Sequence, residues 1–435
     1  MSKRLLAALF IISTSFFMVQ HAFNVSWDFS VFFLNSRYLL FNHGFFEIRR
    51  PPLPAFLMFF GEYFYIFFVS LVGLYACVKF SNRYSLNPVV FYSLILSPYV
   101  LFTGFAVGTE FLTLALTLLL FTYIKDELSG FFFGLSFLAH YTNASSVIFL
   151  FFKRDWRRII GSLLLAFLVI APWFLFNYWF KADPFYSFWD SYAQNVSSRS
   201  YYDMSFNLFD LLIVSSFLFP LFLVGLSRFR RDSFIDWLML FFFLVRLGNY
   251  FFIPLKIPRY LFGVVIPVAY FSAKSLNRFN YRASLVVASL TIIFSAFFYS
   301  PLFYLESPSI YTDNLVHFND SCMVMSNAWP FLNYYGVDSG PSPRKQLVVD
   351  YLNQGYTLVF FKHIRDPSYP LNESFISSLP VSYDSYQLVV LSNESVCLPS
   401  YSYNLSYIEE MNNTYHELHN SSFSFTIWDL LKSEE

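Results

Sequence analysis

Between Trp27 and Pro54 the chain reads WDFSVFFLNSRYLLFNHGFFEIRRPPLP, which sets Asp28, Glu47, Arg49 and Arg50 between two strongly apolar runs. A charge beside hydrocarbon is costly, so a loop this rich in acids and arginines is a candidate site rather than a plain connection. A carboxylate there can accept a proton from a reacting group. An arginine fork binds phosphate oxygens in bidentate fashion. Farther along, Glu110 stands in Gly108-Thr109-Glu110 at the start of another apolar run, and Lys256, Arg259 and Tyr260 open a later one. Asp28 and Glu110 together could also bind a divalent cation, since oxygen ligands suit magnesium or manganese. Each residue has an ordinary reading as well. Asp28 can cap a loop helix, Glu110 can be an exposed helix-start carboxylate favoured by the dipole, and Lys256 and Arg259 can snorkel at a membrane surface.

The elements that must position these groups follow from composition. The chain is 56% apolar and 23% aromatic with 13% charge, which excludes an ordinary soluble globule. Apolar runs of about 18 residues or more recur up to about residue 303, each long enough to cross a hydrocarbon core about 30 Å thick. The zero net charge conceals two unlike parts: residues 1–303 hold 23 Lys+Arg against 13 Asp+Glu, and residues 304–435 hold 5 against 15. A basic membrane part reflects retention of cytoplasmic loops and not a nucleic-acid partner.

Placement of Lys and Arg then predicts the topology. Met1-Ser2-Lys3-Arg4 leads an uncleaved first span with its N-terminus inside. Later basic clusters require nine full spans plus a re-entrant hairpin at 128–152, turning near His140-Tyr141-Thr142-Asn143. Twenty-five residues at about 1.5 Å each cannot cross twice. The last three predicted spans cover Asp236–Ile253, Arg259–Ser275 and Ala283–Phe303, leaving residues 304–435 as a separate external domain.

Several motifs recur in a family order: Asp28 just after the first span, the Arg37-Tyr38-Leu39 run, Gly44-Phe45, basic residues before Pro51-Pro52-Leu53, then Gly108-Thr109-Glu110, Ala171-Pro172-Trp173 with Asn177, and Arg259-Tyr260 with Pro267. Over roughly residues 20 to 270 this resembles the C-type polytopic membrane glycosyltransferases (GT-C), in the branch of dolichyl-phosphate-mannose protein mannosyltransferases and aminoarabinose transferases. The resemblance implies a GT-C-like helical bundle that moves one sugar from a polyprenyl- or dolichyl-phosphate donor to an external glycan, lipid or protein acceptor. It implies Asp28 as the base on the acceptor, with Glu110 as a second acid. Relatives often carry Asp-Glu where this chain has Asp28-Phe29. Arg259 and Tyr260, with Arg49, Arg50 and Lys256, would hold the donor phosphate. In the loop from Lys181 to Asn207, the residues Asp183, Tyr186, Trp189 and Tyr192, with Tyr201-Tyr202, suit sugar or acceptor contact, although interfacial aromatic belts look alike. A transporter or lipid flippase, or a non-catalytic subunit of a glycosylation complex, would share the multi-pass pattern.

Other features stand apart from the motifs. Glu62 and Arg246 lie inside apolar runs and either pair with one another or line a cavity. His140 stands where relatives often have Arg. Cys77 reads as a packed small hydrophobe, and Cys322 and Cys397 fall in the tail, where they pair only in an oxidising compartment. The tail predicts a small α/β domain, with strands at Cys322–Ser326, Leu358–Phe361 and Tyr386–Leu391 and a helix within Ser342–Asn353. Ser326-Asn327-Ala328-Trp329-Pro330 resembles the segment after the membrane part in some archaeal members, and after about Ser400 the composition suggests a loose end. Sequons at Asn24, Asn195, Asn319, Asn372, Asn393, Asn404, Asn412 and Asn420 lie on the predicted external face, while Asn143 would be hidden in the hairpin.

Overall fold

A computed structural model describes residues 2–24, 26–41, 46–153, 155–192, 208–253, 256–276, 286–287, 290, 307–317, 322–343, 345–364, 373–376, 378–393 and 396–399. The predicted span 283–303, Tyr201-Tyr202, the chain beyond 400 and the sequons at 195, 319, 372, 404, 412 and 420 lie outside these residues, apart from short pieces of the span. Two compact units emerge. One comprises residues 1–22, 51–191 and 199–304, and the other residues 23–50, 192–198 and 305–435.

The larger unit is helical. Among the described residues, four helices are long and apolar enough to cross a membrane: α1 (Ser2–Phe23), α4 (Glu62–Arg83), α9 (Trp156–Lys181) and α13 (Phe234–Phe252). Two of them show why. Along α4, Tyr63, Phe64, Phe67, Phe68, Leu71 and Tyr75 are exposed, and along α9, Ile160, Leu164, Phe167, Leu168, Leu175 and Tyr178 are exposed. Repeats of three and four residues make each set a single stripe, and only a hydrocarbon solvent favours so much exposed apolar surface. The protein is an integral membrane protein.

In the other predicted spans that are described, the helices are shorter pieces. Residues 88–105 form α5 (Pro88–Ile95) and α6 (Pro98–Thr103), because Pro98 has no N–H to continue the ladder. Both pieces are almost wholly buried, and interrupted backbone at membrane depth survives only when protein covers it. Leu208–Leu226 is likewise not straight: α11 (Leu208–Ser215) and α12 (Leu218–Leu226) meet at 94°, with Ser216 between them in the left-handed region. Residues 128–152 form α8 (Leu128–Ala139) and a twelve-residue 3-10 helix (Tyr141–Phe152) that meet at His140. At about 1.5 Å per residue α8 is about 18 Å long, short of a full crossing. It packs on α9 through small residues. A Cβ at Gly130 would overlap the Ser162 backbone, and one at Gly134 would press on Val169. Gly130 and Gly134 four residues apart therefore make a close-approach face of the small-xxx-small kind.

The pairing of Glu62 with Arg246 does not occur. Glu62 lies 3.2 Å from His21. Arg246 is buried on α13, where it donates to Asn143 and, at 3.4 Å each, to the Thr142 carbonyl and Ser146 hydroxyl. Asn143 in turn donates to the Ser136 hydroxyl at 2.6 Å, so this sequon is sealed inside the bundle.

The smaller unit is built around a five-stranded sheet of order β2-β1-β3-β5-β4, with β2 (Ser339–Pro341), β1 (Val324–Ser326) and β3 (Thr357–Phe361) parallel. The strands β5 (Leu388–Leu391) and β4 (Val381–Asp384) complete it antiparallel. The predicted strands are there; β2 and β4 had no sequence signal, being Ser-Gly-Pro and an exposed Val-Ser-Tyr-Asp edge. Period-two alternation buries both faces. Met323, Met325, Leu358, Phe360, Val389 and Leu391 point one way, and Val324, Val359, Phe361, Leu388 and Val390 the other. Phe331 and Leu332 of the helix Trp329–Tyr334 cover the second face. Val348 and Leu352 of the helix Val348–Asn353 cover the first, together with Val31 and Leu34 of α2 (Trp27–Phe41). Thus a helix some three hundred residues upstream completes this core. Cys322 and Cys397 are disulfide-bonded, closing a loop of 75 residues, whereas Cys77 is a buried free thiol.

Candidate functional site

The predicted loop site is a folded constellation within the smaller unit. Ser26 caps α2, its carbonyl accepting the Ser30 N–H at 3.1 Å and its hydroxyl that of Phe29 at 3.3 Å. Asp28 therefore sits in the first helical turn, where the dipole favours a carboxylate. From Phe46 the chain returns along the helix. Tyr38 stacks on Phe46 with centroids 4.8 Å apart. Asn35 clamps the Glu47 backbone at two points, donating to its carbonyl at 2.9 Å and accepting its N–H at 2.8 Å. The Arg50 guanidinium lies over Phe32 at 5.8 Å and donates from Nη1 to Asp28 Oδ1 at 2.6 Å. Positions 28, 32, 35 and 38 fall on one stripe of a helix with 3.6 residues per turn, so residues 46–50 run antiparallel along that face. The loop helix is thus covered on two faces, by its own return segment and by the sheet.

Glu47 is the hub of the charges. Arg50 Nε donates to its Oε2 at 2.6 Å, and Arg49 engages Oε1. The Glu47 side chain is 4% exposed, Arg49 8%, Asp28 14% and Arg50 19%, so two acids and two arginines form a nearly dry, neutral cluster. Burial alone would push the Glu47 carboxyl up, but Arg49 and Arg50 outweigh it and hold it below the usual range. Burial would lower the Arg50 guanidinium, and Asp28 and Glu47 raise it instead. The four groups thereby hold one another in place.

The remaining predicted residues lie in the larger unit. Glu110 starts α7 (Glu110–Thr122) and is buried, not the surface carboxylate its helix-start position suggested; it accepts from Thr109 N–H and Oγ1 at 3.3 Å each. The turn before it needs Gly108, whose φ is +94°, and the Gly108 carbonyl accepts from Tyr65. Arg259 and Tyr260 are half-buried in a 3-10 helix (Pro258–Val264), with the guanidinium 5.5 Å from the Tyr260 ring centroid. Lys256 has a different employment. Its ammonium donates to the carbonyls of Tyr250 and Phe251 at 2.8 Å and of Ile253 at 2.5 Å, capping α13, and burial lowers its pKa. That accounts for all three of its protons.

The aromatic loop shows a similar division of labour. Asp183 accepts the Phe185 N–H at 2.9 Å and so shapes the turn into α10 (Tyr186–Tyr192). Tyr186 and Trp189 are partly buried on α10, and Tyr192 is partly buried with its phenol pushed up by burial. Sequence reasoning missed Ser187, which is fully buried and accepts from Trp173 at 2.9 Å, Tyr141 at 3.0 Å and Asn177 at 2.8 Å. Trp173 and Asn177 therefore tie α10 to α9 through Ser187. Asp210, bonded to Tyr250 and buried beside the Arg259 segment, was also missed; an acid in the first turn of a broken helix was its sole signal. Among the described residues there is no group of three or more His, Cys, Asp or Glu placed to hold a metal.

No protein-family model and no curated protein matches this chain. Among solved structures it is similar to ArnT from Cupriavidus metallidurans, a structure bound to undecaprenyl phosphate. The TM-score is 0.61 at 11% identity, over 91% of this chain and 99% of that one. The chain therefore has an ArnT-like fold: a helical membrane bundle with a small C-terminal α/β domain.

Proposed function

We propose that this protein is an inverting glycosyltransferase that moves a single sugar, a mannose-like hexose by preference, from a polyprenyl- or dolichyl-phosphate donor. The acceptor is a glycan, lipid or protein outside the membrane. The observation that carries the reading is the Asp28–Arg50–Glu47 constellation in a chain of ArnT-like fold. In the reaction an acceptor oxygen or nitrogen attacks the anomeric carbon, the bond from that carbon to the phosphate oxygen breaks, and configuration inverts. The acceptor's proton passes to Asp28, and the lipid phosphate leaves as an anion. Arg50 orients the Asp28 carboxylate through Oδ1, Glu47 fixes Arg50, and Arg49 balances Glu47. Arg259 with Tyr260 holds the donor phosphate as a bidentate fork, Glu110 serves as a second acid, and Tyr186, Trp189 and Tyr192 contact the sugar or acceptor. The N-terminus is cytoplasmic, and the loop and sheet unit are external.

A magnesium or manganese ion on Asp28 or Glu110 would compete with partners that these carboxylates already have. Asp28 Oδ1 already accepts from Arg50 and Glu110 from Thr109, and two guanidiniums supply the positive charge at the loop. The test is transfer of labelled sugar from a polyprenyl-phosphate donor in membranes expressing the wild type or Asp28→Asn. Loss of about 10²-fold or more in the variant is expected for a missing base. Undiminished transfer by Asp28→Asn would remove Asp28 as the base, and ligand flux across vesicles with no transfer by the wild type would overturn the reading.

A further inference from the structure

We infer that the C-terminal α/β sheet is the positioning element of the Asp28 loop, so that ordering of the reactive carboxylate depends on residues some three hundred positions away. This rests on the proposed function for its catalytic consequence and on geometry for the rest. The helix that carries Asp28 is a covering layer of the sheet. Val31 and Leu34 belong to the same buried cluster as Met323, Met325, Leu358 and Trp329, at 0% and 4% exposure. Trp27, adjacent to Asp28, meets Trp329 edge-on at 5.7 Å and Phe331 at 5.8 Å, and it packs against the clusters on both faces of the sheet. Phe33 adds a third ring contact, with Tyr334 at 5.4 Å.

Trp27, Val31 and Leu34 follow at i, i+4 and i+7, one stripe of α2, whereas the ionic and stacking partners of the return segment occupy the stripe beside it. One helix thus has two duties on two faces, and a shift of α2 against the sheet moves Asp28 and Arg50 together. The helix is only 15 residues long, a length at which an isolated helix is marginal in water, and its stability must come from tertiary packing. The sheet supplies that packing. A misplacement of about 1 Å at a reacting group is enough to cost about 10²-fold in rate.

The experiment uses the full-length protein in nanodiscs, with Trp329→Ala and, from the opposite side of the contact, Leu34→Ala. Amide exchange of residues 27–41 should accelerate about tenfold or more in each variant while α4 and α7 keep wild-type protection. In sugar transfer, kcat should fall about tenfold or more with the donor KM within about threefold, and Trp329→Phe should restore both readouts. Wild-type exchange of residues 27–41 in a Trp329→Ala protein whose β1 and β3 amides have lost protection would overturn the inference. The exchange result decides it even if the wild type transfers no sugar, an outcome that would sink the proposed function alone. If Trp329→Ala cannot be recovered folded, Leu34→Ala decides by the same two readouts.

Discussion

Arg50 is the residue whose removal discriminates most sharply, because one guanidinium spans two carboxylates. Its Nη1 reaches Asp28 and its Nε reaches Glu47, each at 2.6 Å, and Glu47 keeps Arg49 as a second partner. Arg50→Ala therefore strips Asp28 of this ion pair while leaving Glu47 paired. Breaking one side of a buried ion pair costs about 3–5 kcal/mol; with Asp28 14% and Arg50 19% exposed, the low end, about 3 kcal/mol, applies. If that energy is what holds the carboxylate in its productive place, kcat for sugar transfer falls by about 10²-fold, since each 1.36 kcal/mol is a factor of ten. Arg50→Lys keeps the charge but not the fork, and a single ammonium cannot hold both carboxylates in the same geometry, so it should recover only part of the loss. Arg49→Ala, which leaves the Arg50 bridge intact, should cost less than Arg50→Ala. The assay is transfer from a labelled polyprenyl-phosphate donor, with kcat and donor KM determined separately. Arg50→Ala within about threefold of the wild-type kcat, or an Arg49→Ala loss as large as that of Arg50→Ala, would refute the bridging argument.

Two further expectations come from the same physics. The Glu47 carboxyl is held below its unperturbed value of 4.5, so the stability it contributes is fully present above that pH and is lost as pH falls through the lower folded-state value. Amide protection of α2 should accordingly stay level from pH 5 to 8 and decline below about 4.5, and in Glu47→Gln the decline should vanish along with much of the protection. In the bundle, Gly130→Val should separate α8 from α9, because its Cβ has no room beside the Ser162 backbone; the solubilised protein should lose about 1–3 kcal/mol, read as a fall in Tm, while a Gly248→Ala control, which meets open space, should not.

Much of the architecture was legible because hydrocarbon leaves a strong mark on composition. Long apolar runs announced α1, α4, α9 and α13, and alternating Leu, Val and Phe announced β1, β3 and β5. The loop at 27–54 stood out as a candidate because charges beside hydrocarbon are costly, and its four charges do meet in the folded chain. The linear order concealed who partners whom. Glu62 and Arg246, alike in sequence as charges within apolar runs, find His21 and Asn143 instead of each other. Lys256 caps α13 and Asp183 shapes the turn before α10, contacts that their sequence neighbourhoods did not announce. The pairing of Cys322 with Cys397 depended on two segments 75 residues apart being brought together. Above all, α2 reads as a loop helix, and only the folded chain makes it a layer of a sheet whose strands begin at residue 324. Local charge and apolar periodicity are properties of neighbours along the chain, so sequence alone determines them. Which buried face meets which, and hence which carboxylate is held and which cation is spent, is set by long-range packing that no local pattern encodes.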